Sequence, residues 1–198
     1  MPNITNVNVW GVKESIIASG YPMTNGDTPS MDTINSTPEG FKRLKNLGSV
    51  KGSTGHDCAL KGIVVQFDWK ISQTIYPQVE RYHFIDIISS QSKMHRLKEA
   101  KLGDFNEYVD PVILERFMEL VKNYNLSVET GTTEEQKYSF NQMVYSLPMG
   151  YEMTARFTTN YLQLKTIYHQ RKNHKLQEWR DFCGWIELLP NFQEFVLS

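Results

Sequence analysis

The chain is poor in cysteine and in net charge. Its 198 residues include two cysteines, Cys58 and Cys183, which form no CxxC pair, so neither a disulfide framework nor a zinc site is indicated. Two buried, reduced thiols are the simplest expectation. Twenty-one basic residues stand against 22 acidic ones, giving a net charge of -1. This balance excludes a protein that binds nucleic-acid polymers through bulk positive charge.

Long apolar runs are also missing. No stretch approaches the roughly 20 apolar residues that a membrane span needs. Residues 1–10 lack the basic region and apolar run of a signal peptide. We therefore expect no membrane association and a cytoplasmic location.

Several common catalytic motifs are absent as well. The sequence contains no Walker A loop, GxGxxG, HExxH or GxSxG pattern, and the His56-Asp57 pair has no accompanying nucleophile motif. A P-loop, a Rossmann phosphate site, a zinc enzyme and a serine hydrolase are not indicated, and no metal site is expected.

What the chain does have is apolar and aromatic residues. Forty per cent of the residues are hydrophobic and 12% are aromatic, enough to bury a core without disulfides. We expect a single domain over residues 1–198, with residues 23–37 as an exposed loop because they are rich in Asn, Asp, Ser, Thr, Gly and Pro.

Hydrophobic periodicity and capping residues predict the main elements. We expect strands over residues 4–10, 60–72, 83–88 and 151–158, of which the second has the strongest pattern. The predicted helices cover residues 12–19, 38–47, 75–81, 110–124, 133–146, 159–174 and 176–189. The last helix carries an aromatic stripe, which predicts a core or subunit contact.

Two polar segments follow the strong strand. The first reads Gln78-Val79-Glu80-Arg81-Tyr82-His83; an Arg beside a His can bind phosphate or a polar heterocycle, although both can equally be ordinary structural residues at a strand start. The second runs from Ser89 to Arg96 and contains three hydroxyls and several cations. It could hold a phosphate, or it could be a solvated loop.

A third constellation lies on the helix predicted from Thr159. Asn160 and Arg171 are eleven residues apart, close to three helical turns, so we expect them to share a face. A buried Arg needs a partner. That partner could be an anionic ligand or an internal carboxylate such as Glu178.

Together these segments resemble the motif region of flavin-dependent thymidylate synthases. That family shows a His, a hydrophobic strand, Q-x-x-R-H-R-x-x-S and then a polar run ending S-x-R-Y. The corresponding pieces here are His56, residues 62–69, Gln78-x-x-Arg81-Tyr82-His83 and residues 89–95. The family's later Leu-Pro, T-x-N, Arg and W-E pieces correspond to Leu147-Pro148, Thr158-Thr159-Asn160, Arg171 and Gln177-Glu178-Trp179.

The resemblance implies a fold, a reaction and a set of site residues. It implies an α+β domain with a central antiparallel sheet flanked by helices, assembled as a homotetramer. It implies FAD as cofactor, with NADPH and methylenetetrahydrofolate as co-substrates and a pyrimidine nucleotide such as dUMP as the methylated substrate. The implied flavin-binding residues are His56, Arg81, Tyr82, His83 and Asn160. The implied catalytic residues are Arg171 and Ser92, and the nucleotide-binding residues are Gln78, Ser90, Lys93, Arg96 and Arg171.

The chain departs from the family pattern where that pattern places arginines. Arg81-Tyr82-His83 occupies the position of the family's R-H-R, and Met94-His95 occupies that of its final Arg-Tyr. Val144 is found where the family has an Arg before its Leu-Pro. Such arginines grip the nucleotide phosphate. The main alternative is therefore a non-catalytic nucleotide- or flavin-binding protein on the same fold, and the aromatic last helix leaves a purely structural protein as a further alternative.

Overall fold

A computed structural model describes residues 3–31, 35–51 and 55–198 of the chain. The four strands are β1 (Ile4–Trp10), β2 (Val64–Ser72), β3 (Ile85–Ser90) and β4 (Glu152–Asn160). The longer helices are α1 (Val12–Ala18), α2 (Pro38–Gly48), α5 (Pro111–Thr130), α6 (Thr133–Tyr145), α7 (Tyr161–Arg171) and α8 (Gln177–Ile186). Two single-turn helices, α3 (Tyr76–Val79) and α4 (Lys93–Arg96), lie between them in sequence.

The strands form one antiparallel sheet in the order β1-β2-β4-β3. Every second residue is buried along the inner strands β2 and β4, as expected for strands with one face against a core. The expected α+β fold with a central antiparallel sheet is confirmed. The predicted strand over residues 60–72 begins four residues late, because Cys58–Gly62 forms a 3-10 helix.

Contacts divide the chain into two compact units. The first comprises the described parts of residues 1–68, with 82–87 and 157–198, and the second comprises 69–81 and 88–156. The expectation of a single domain remains a prediction. No helix in the described ranges is both long and apolar enough to cross a membrane.

The core of the first unit is aromatic. Trp179, Phe182 and Ile186 of α8 are buried, and Trp185 packs on Phe67 of β2 with ring centroids 4.7 Å apart. The stripe predicted on the last helix is therefore core packing within this unit.

A buried ion pair also belongs to the first unit. Lys165 Nζ donates to Asp57 Oδ2 at 2.7 Å and to the carbonyl oxygens of Gly48 and Val50 at 2.7 and 2.6 Å. The side chains of Lys165 and Asp57 are only 4% and 5% exposed. All three ammonium donors are thus used to attach the segment after α2 to α7.

The second unit is built on the α5–α6 hairpin. Phe117, Leu120 and Val121 of α5 pack with Met143 of α6 in one buried cluster. Asp110 caps α5 by accepting from the amides of Val112 and Ile113.

Polar side chains cap the starts of helices α2, α5 and α6. Besides Asp110 at α5, Thr37 accepts from the Gly40 amide at the start of α2, and Thr132 with Glu135 forms a capping box at α6. Helix α5 runs six residues beyond its predicted end, because the exposed residues of its last turns lack the apolar periodicity that marks a buried face.

The two cysteines differ in exposure. Cys183 is buried but Cys58 is exposed, so only one of the two thiols matches the expectation.

The predicted loop over residues 23–37 is largely irregular. Residues 24–31 and 35–37 form no helix or strand and are mostly exposed, whereas Met23 ends a 3-10 turn. Residues 32–34 lie outside the described ranges.

Candidate functional site

The best-defined polar constellation of the first unit centres on Arg171, the last residue of α7. Its Nε donates to the hydroxyl of Tyr82 at 2.8 Å, and that hydroxyl donates to Gln170 Oε1 at 3.0 Å. The guanidinium lies 4.6 Å from the ring centroid of Trp179 and 5.7 Å from that of Tyr82. Two aromatic faces and a hydroxyl therefore hold Arg171 in one orientation.

Two histidines lie close to Arg171 in the chain, and both have lowered pKa values. His174 lies three residues beyond Arg171, and its pKa is lowered by partial burial and then by the charges of Arg171 and Arg180. His169, two residues before Arg171, has its pKa lowered by burial and by the neighbouring Lys172 and Lys165. An oriented guanidinium can hydrogen-bond a carbonyl oxygen or an anion.

Asn160 does not share a helical face with Arg171, because α7 begins one residue after it. Asn160 has an extended backbone at the end of β4, and its Oδ1 accepts from the Gln163 amide at 2.9 Å. Since α7 contains 11 residues, the two predicted site residues stand about 16 Å apart at its opposite ends.

Three of the predicted flavin residues are exposed. The side chains of His56, Arg81 and His83 are solvent-accessible and form no hydrogen bond or ion pair with other described residues. Arg81 belongs to the second unit and His83 to the first. His56 lines a cavity of about 890 Å³ together with Lys42, Arg43 and Cys58, and neither Tyr82 nor Arg171 is among the residues that line it.

In the second unit the predicted nucleotide residues are engaged to different degrees. Gln78 Nε2 donates to the carbonyl of Thr74 at 3.0 Å. Ser90 ends β3 and Ser92 precedes α4; both are exposed, and the Ser92 hydroxyl does not cap that helix.

The two cations of this segment differ in their partners. Arg96 forms an ion pair with Asp104 at 3.1 Å and hydrogen-bonds Gln91 Oε1. Lys93 Nζ donates to Gln73 Oε1 at 2.8 Å. Much of the charge of Arg96 is thus compensated within the chain, whereas among the described residues that of Lys93 meets only a neutral amide.

Sequence reasoning missed two neighbours of these residues. Trp179 was expected as a core or subunit contact and as part of the W-E piece of the family pattern, and its ring also lies against Arg171. Gln73 was not singled out; the only local signal is an amide that directly follows the last residue of the hydrophobic strand β2. Within the described ranges no group of three or more metal-binding side chains occurs.

Comparison with known proteins finds likeness in structure and none in sequence. No protein-family model and no curated protein sequence matches the chain. Two solved structures of flavin-dependent thymidylate synthase ThyX from Helicobacter pylori, each complexed with FAD and dUMP, match with TM-scores of 0.70 and 0.71. The alignments cover 98% and 100% of this chain and 98% of each ThyX chain, at 14% sequence identity.

This chain has the ThyX fold. The resemblance read from the ordered motifs is therefore confirmed at the level of fold. At 14% sequence identity the comparison shows that the fold is shared, but it does not show the roles of individual side chains. The assignments of His56, Arg81, Tyr82, His83 and Asn160 to flavin, and of the remaining residues to nucleotide, stay predictions.

Proposed function

We propose that the chain is a divergent flavin-dependent enzyme of the thymidylate synthase type. It transfers a one-carbon unit from methylenetetrahydrofolate to C5 of dUMP or a related pyrimidine nucleotide, with NADPH as reductant, and it acts as a homotetramer. The observation that carries this proposal is the ThyX fold over essentially the whole chain, shared with proteins complexed with FAD and dUMP.

The residues assigned to flavin fit that group in their chemistry. Arg81 and His83 flank Tyr82, are exposed, and have no polar side-chain partner among the described residues, so they are available to an anionic diphosphate or a polar ring edge. His56 is exposed in the same way, and the Asn160 amide keeps its NH₂ end although its oxygen caps α7. When bound, FAD supplies the hydride chemistry, so the protein needs no nucleophile of its own.

Arg171 is the residue assigned to the reacting pyrimidine. Because Tyr82 and Trp179 fix the guanidinium, the reorganisation needed to hydrogen-bond a pyrimidine carbonyl is small. In this proposal Arg171 polarises the substrate, and Ser92 is the second residue assigned to catalysis. Gln78, Ser90, Lys93 and Arg96 bind the rest of the nucleotide.

One observation favours the alternative of a non-catalytic nucleotide- or flavin-binding protein. Arg96 is tied to Asp104 and Gln91, so fewer cations are available to grip a phosphate than the family pattern implies. A ligand could still bind through the fixed Arg171 without being turned over.

The first test is the absorption spectrum of natively purified protein with mass spectrometry of the released ligand. The proposal expects bound flavin, either retained or taken up from added FAD. Arg81→Ala is expected to reduce flavin retention. A colourless protein that binds no FAD would exclude both the enzyme and a flavin-binding protein.

The second test separates enzyme from binder. Conversion of dUMP to dTMP that depends on methylenetetrahydrofolate and NADPH would exclude the non-catalytic alternative. Tyr82→Phe deletes the hydroxyl that holds Arg171 but keeps the ring, and is expected to lower activity at least tenfold, since a hydrogen bond to a charged group contributes about 1.5–3 kcal/mol and about 1.4 kcal/mol is a factor of ten. Arg171→Ala is expected to weaken nucleotide use more strongly. Unchanged activity in both variants would refute the assignment.

A further inference from the structure

Gln73, which the proposed function does not use, forms a hydrogen-bonded pair in the second unit with Lys93, one of the residues assigned to the nucleotide. Gln73 directly follows β2 and is only 9% exposed. Its backbone amide donates to the carbonyl of Tyr151 at 3.0 Å. Lys93, the first residue of α4, reaches its side-chain oxygen at 2.8 Å.

The orientation of the Gln73 amide is set by this contact. A lysine ammonium has donors only, so the atom that faces it must be the amide oxygen and not the nitrogen. The opposite end of the amide, Nε2, is then a buried donor, and it has no hydrogen-bond partner among the described residues. A buried polar group without a partner is unfavourable, and rotating the amide by 180° would place two donors face to face.

Lys93 brings a positive charge that the rest of the described chain does not compensate. It forms no ion pair with a described carboxylate, whereas Arg96, three residues later, pairs with Asp104. The Lys93 side chain is exposed at the surface while Gln73 lies beneath it. The pair therefore contains two hydrogen-bond donors, the buried Gln73 Nε2 and the charged, more exposed Lys93 Nζ.

We propose that Gln73 Nε2 and Lys93 Nζ together bind an oxygen of the phosphate group of a nucleotide. A phosphate oxygen accepts from both donors and also compensates the ammonium charge; a buried water could satisfy the amide but would leave that charge unopposed. The identity of the ligand as a pyrimidine nucleotide rests on the proposed function. The phosphate-binding role of the pair rests on the geometry of Gln73 and Lys93.

Gln73→Glu is the decisive variant. It keeps an oxygen facing Lys93 and the shape of the side chain, but it replaces the free donor by an acceptor and neutralises the lysine. The measurement is isothermal titration of the full-length protein with dUMP and with deoxyuridine, which lacks the phosphate. We expect the wild type to prefer dUMP at least tenfold and Gln73→Glu to lose that preference, with deoxyuridine affinity unchanged.

Two further variants make the outcome unambiguous. Gln136→Glu introduces the same charge on a half-buried glutamine of α6 whose Nε2 already donates to the Gly131 carbonyl, and it should behave as wild type. Lys93→Met removes the ammonium from an exposed position and should also abolish the preference. If circular dichroism shows Gln73→Glu to be unfolded, Lys93→Met decides. If folded Gln73→Glu or folded Lys93→Met still bound dUMP at least tenfold more tightly than deoxyuridine, the proposal would be wrong.

Inorganic phosphate separates this proposal from the proposed function. Phosphate should raise the thermal midpoint of the wild type relative to chloride at equal ionic strength, and should not raise that of Lys93→Met. If phosphate stabilises the wild type but not Lys93→Met, and the protein binds neither flavin nor dUMP, the phosphate site is supported and the proposed function is wrong. No shift with phosphate and no preference for dUMP in the wild type would overturn the site itself.

Discussion

Replacing Lys165 by Met tests the buried ion pair of the first unit most directly. The change keeps an unbranched side chain of similar length but removes the ammonium that donates to Asp57 Oδ2 and to the carbonyls of Gly48 and Val50. The Asp57 carboxylate, which is almost fully buried, would then have lost the cation that compensates its charge. Two backbone carbonyls would lose a donor at the same time.

The expected loss is large because the cost of desolvation is no longer offset. Removing one member of a buried pair destabilises a protein by about 3–5 kcal/mol. For a chain of 198 residues, each kcal/mol corresponds to about 2–4 °C in the thermal midpoint, so a drop of about 6–20 °C is expected. Urea unfolding followed by circular dichroism gives the free energy of unfolding directly.

Two comparison variants define the outcome. Asp57→Asn keeps an oxygen that can accept from Lys165 and should therefore cost less than Lys165→Met. Lys175→Met removes an exposed lysine with no side-chain partner in the described ranges and should stay within about 0.5 kcal/mol of wild type. A loss below about 1 kcal/mol for Lys165→Met, with a normal denaturant slope, would refute the view that this pair secures the segment around His56.

Three further measurements test other parts of the fold. The pKa values of Tyr168 and Cys183 are raised to about 12, first by burial and then by Glu187. Because the folded protein keeps protons that the unfolded chain releases at high pH, stability in urea should be full below about pH 9 and fall as the pH rises towards 12. The fall should be less steep in Tyr168→Phe. A thiol reagent should modify the exposed Cys58 rapidly in the native protein and Cys183 only after unfolding, whereas equal rates would contradict the burial of Cys183. Asp110→Ala should cost about 1 kcal/mol in urea unfolding while Asp110→Asn stays near wild type, because only the former removes the acceptor that caps α5; equal losses would indicate another cause.

The sequence by itself determined the features whose cause is local. Thr37 and Thr132 could be identified as caps because each side chain bonds an amide three residues away. The burial of β2 followed from the run of β-branched and aromatic residues in its own strand. The ordered motifs also indicated the ThyX fold, because a fold can persist where individual site residues have changed.

Tertiary structure alone decided which partners the polar residues have. The spacing on α7 drew attention to Arg171 and left open a carboxylate or a ligand as its partner, and the fold adds Tyr82 from 89 residues away. Lys165 reaches Asp57 across 108 residues, and Lys93 reaches Gln73 across 20. Lysine is almost always exposed, and glutamine mostly so. No pattern within one element therefore marks these side chains as buried or paired; packing selects the partner, because a polar group removed from water must find one.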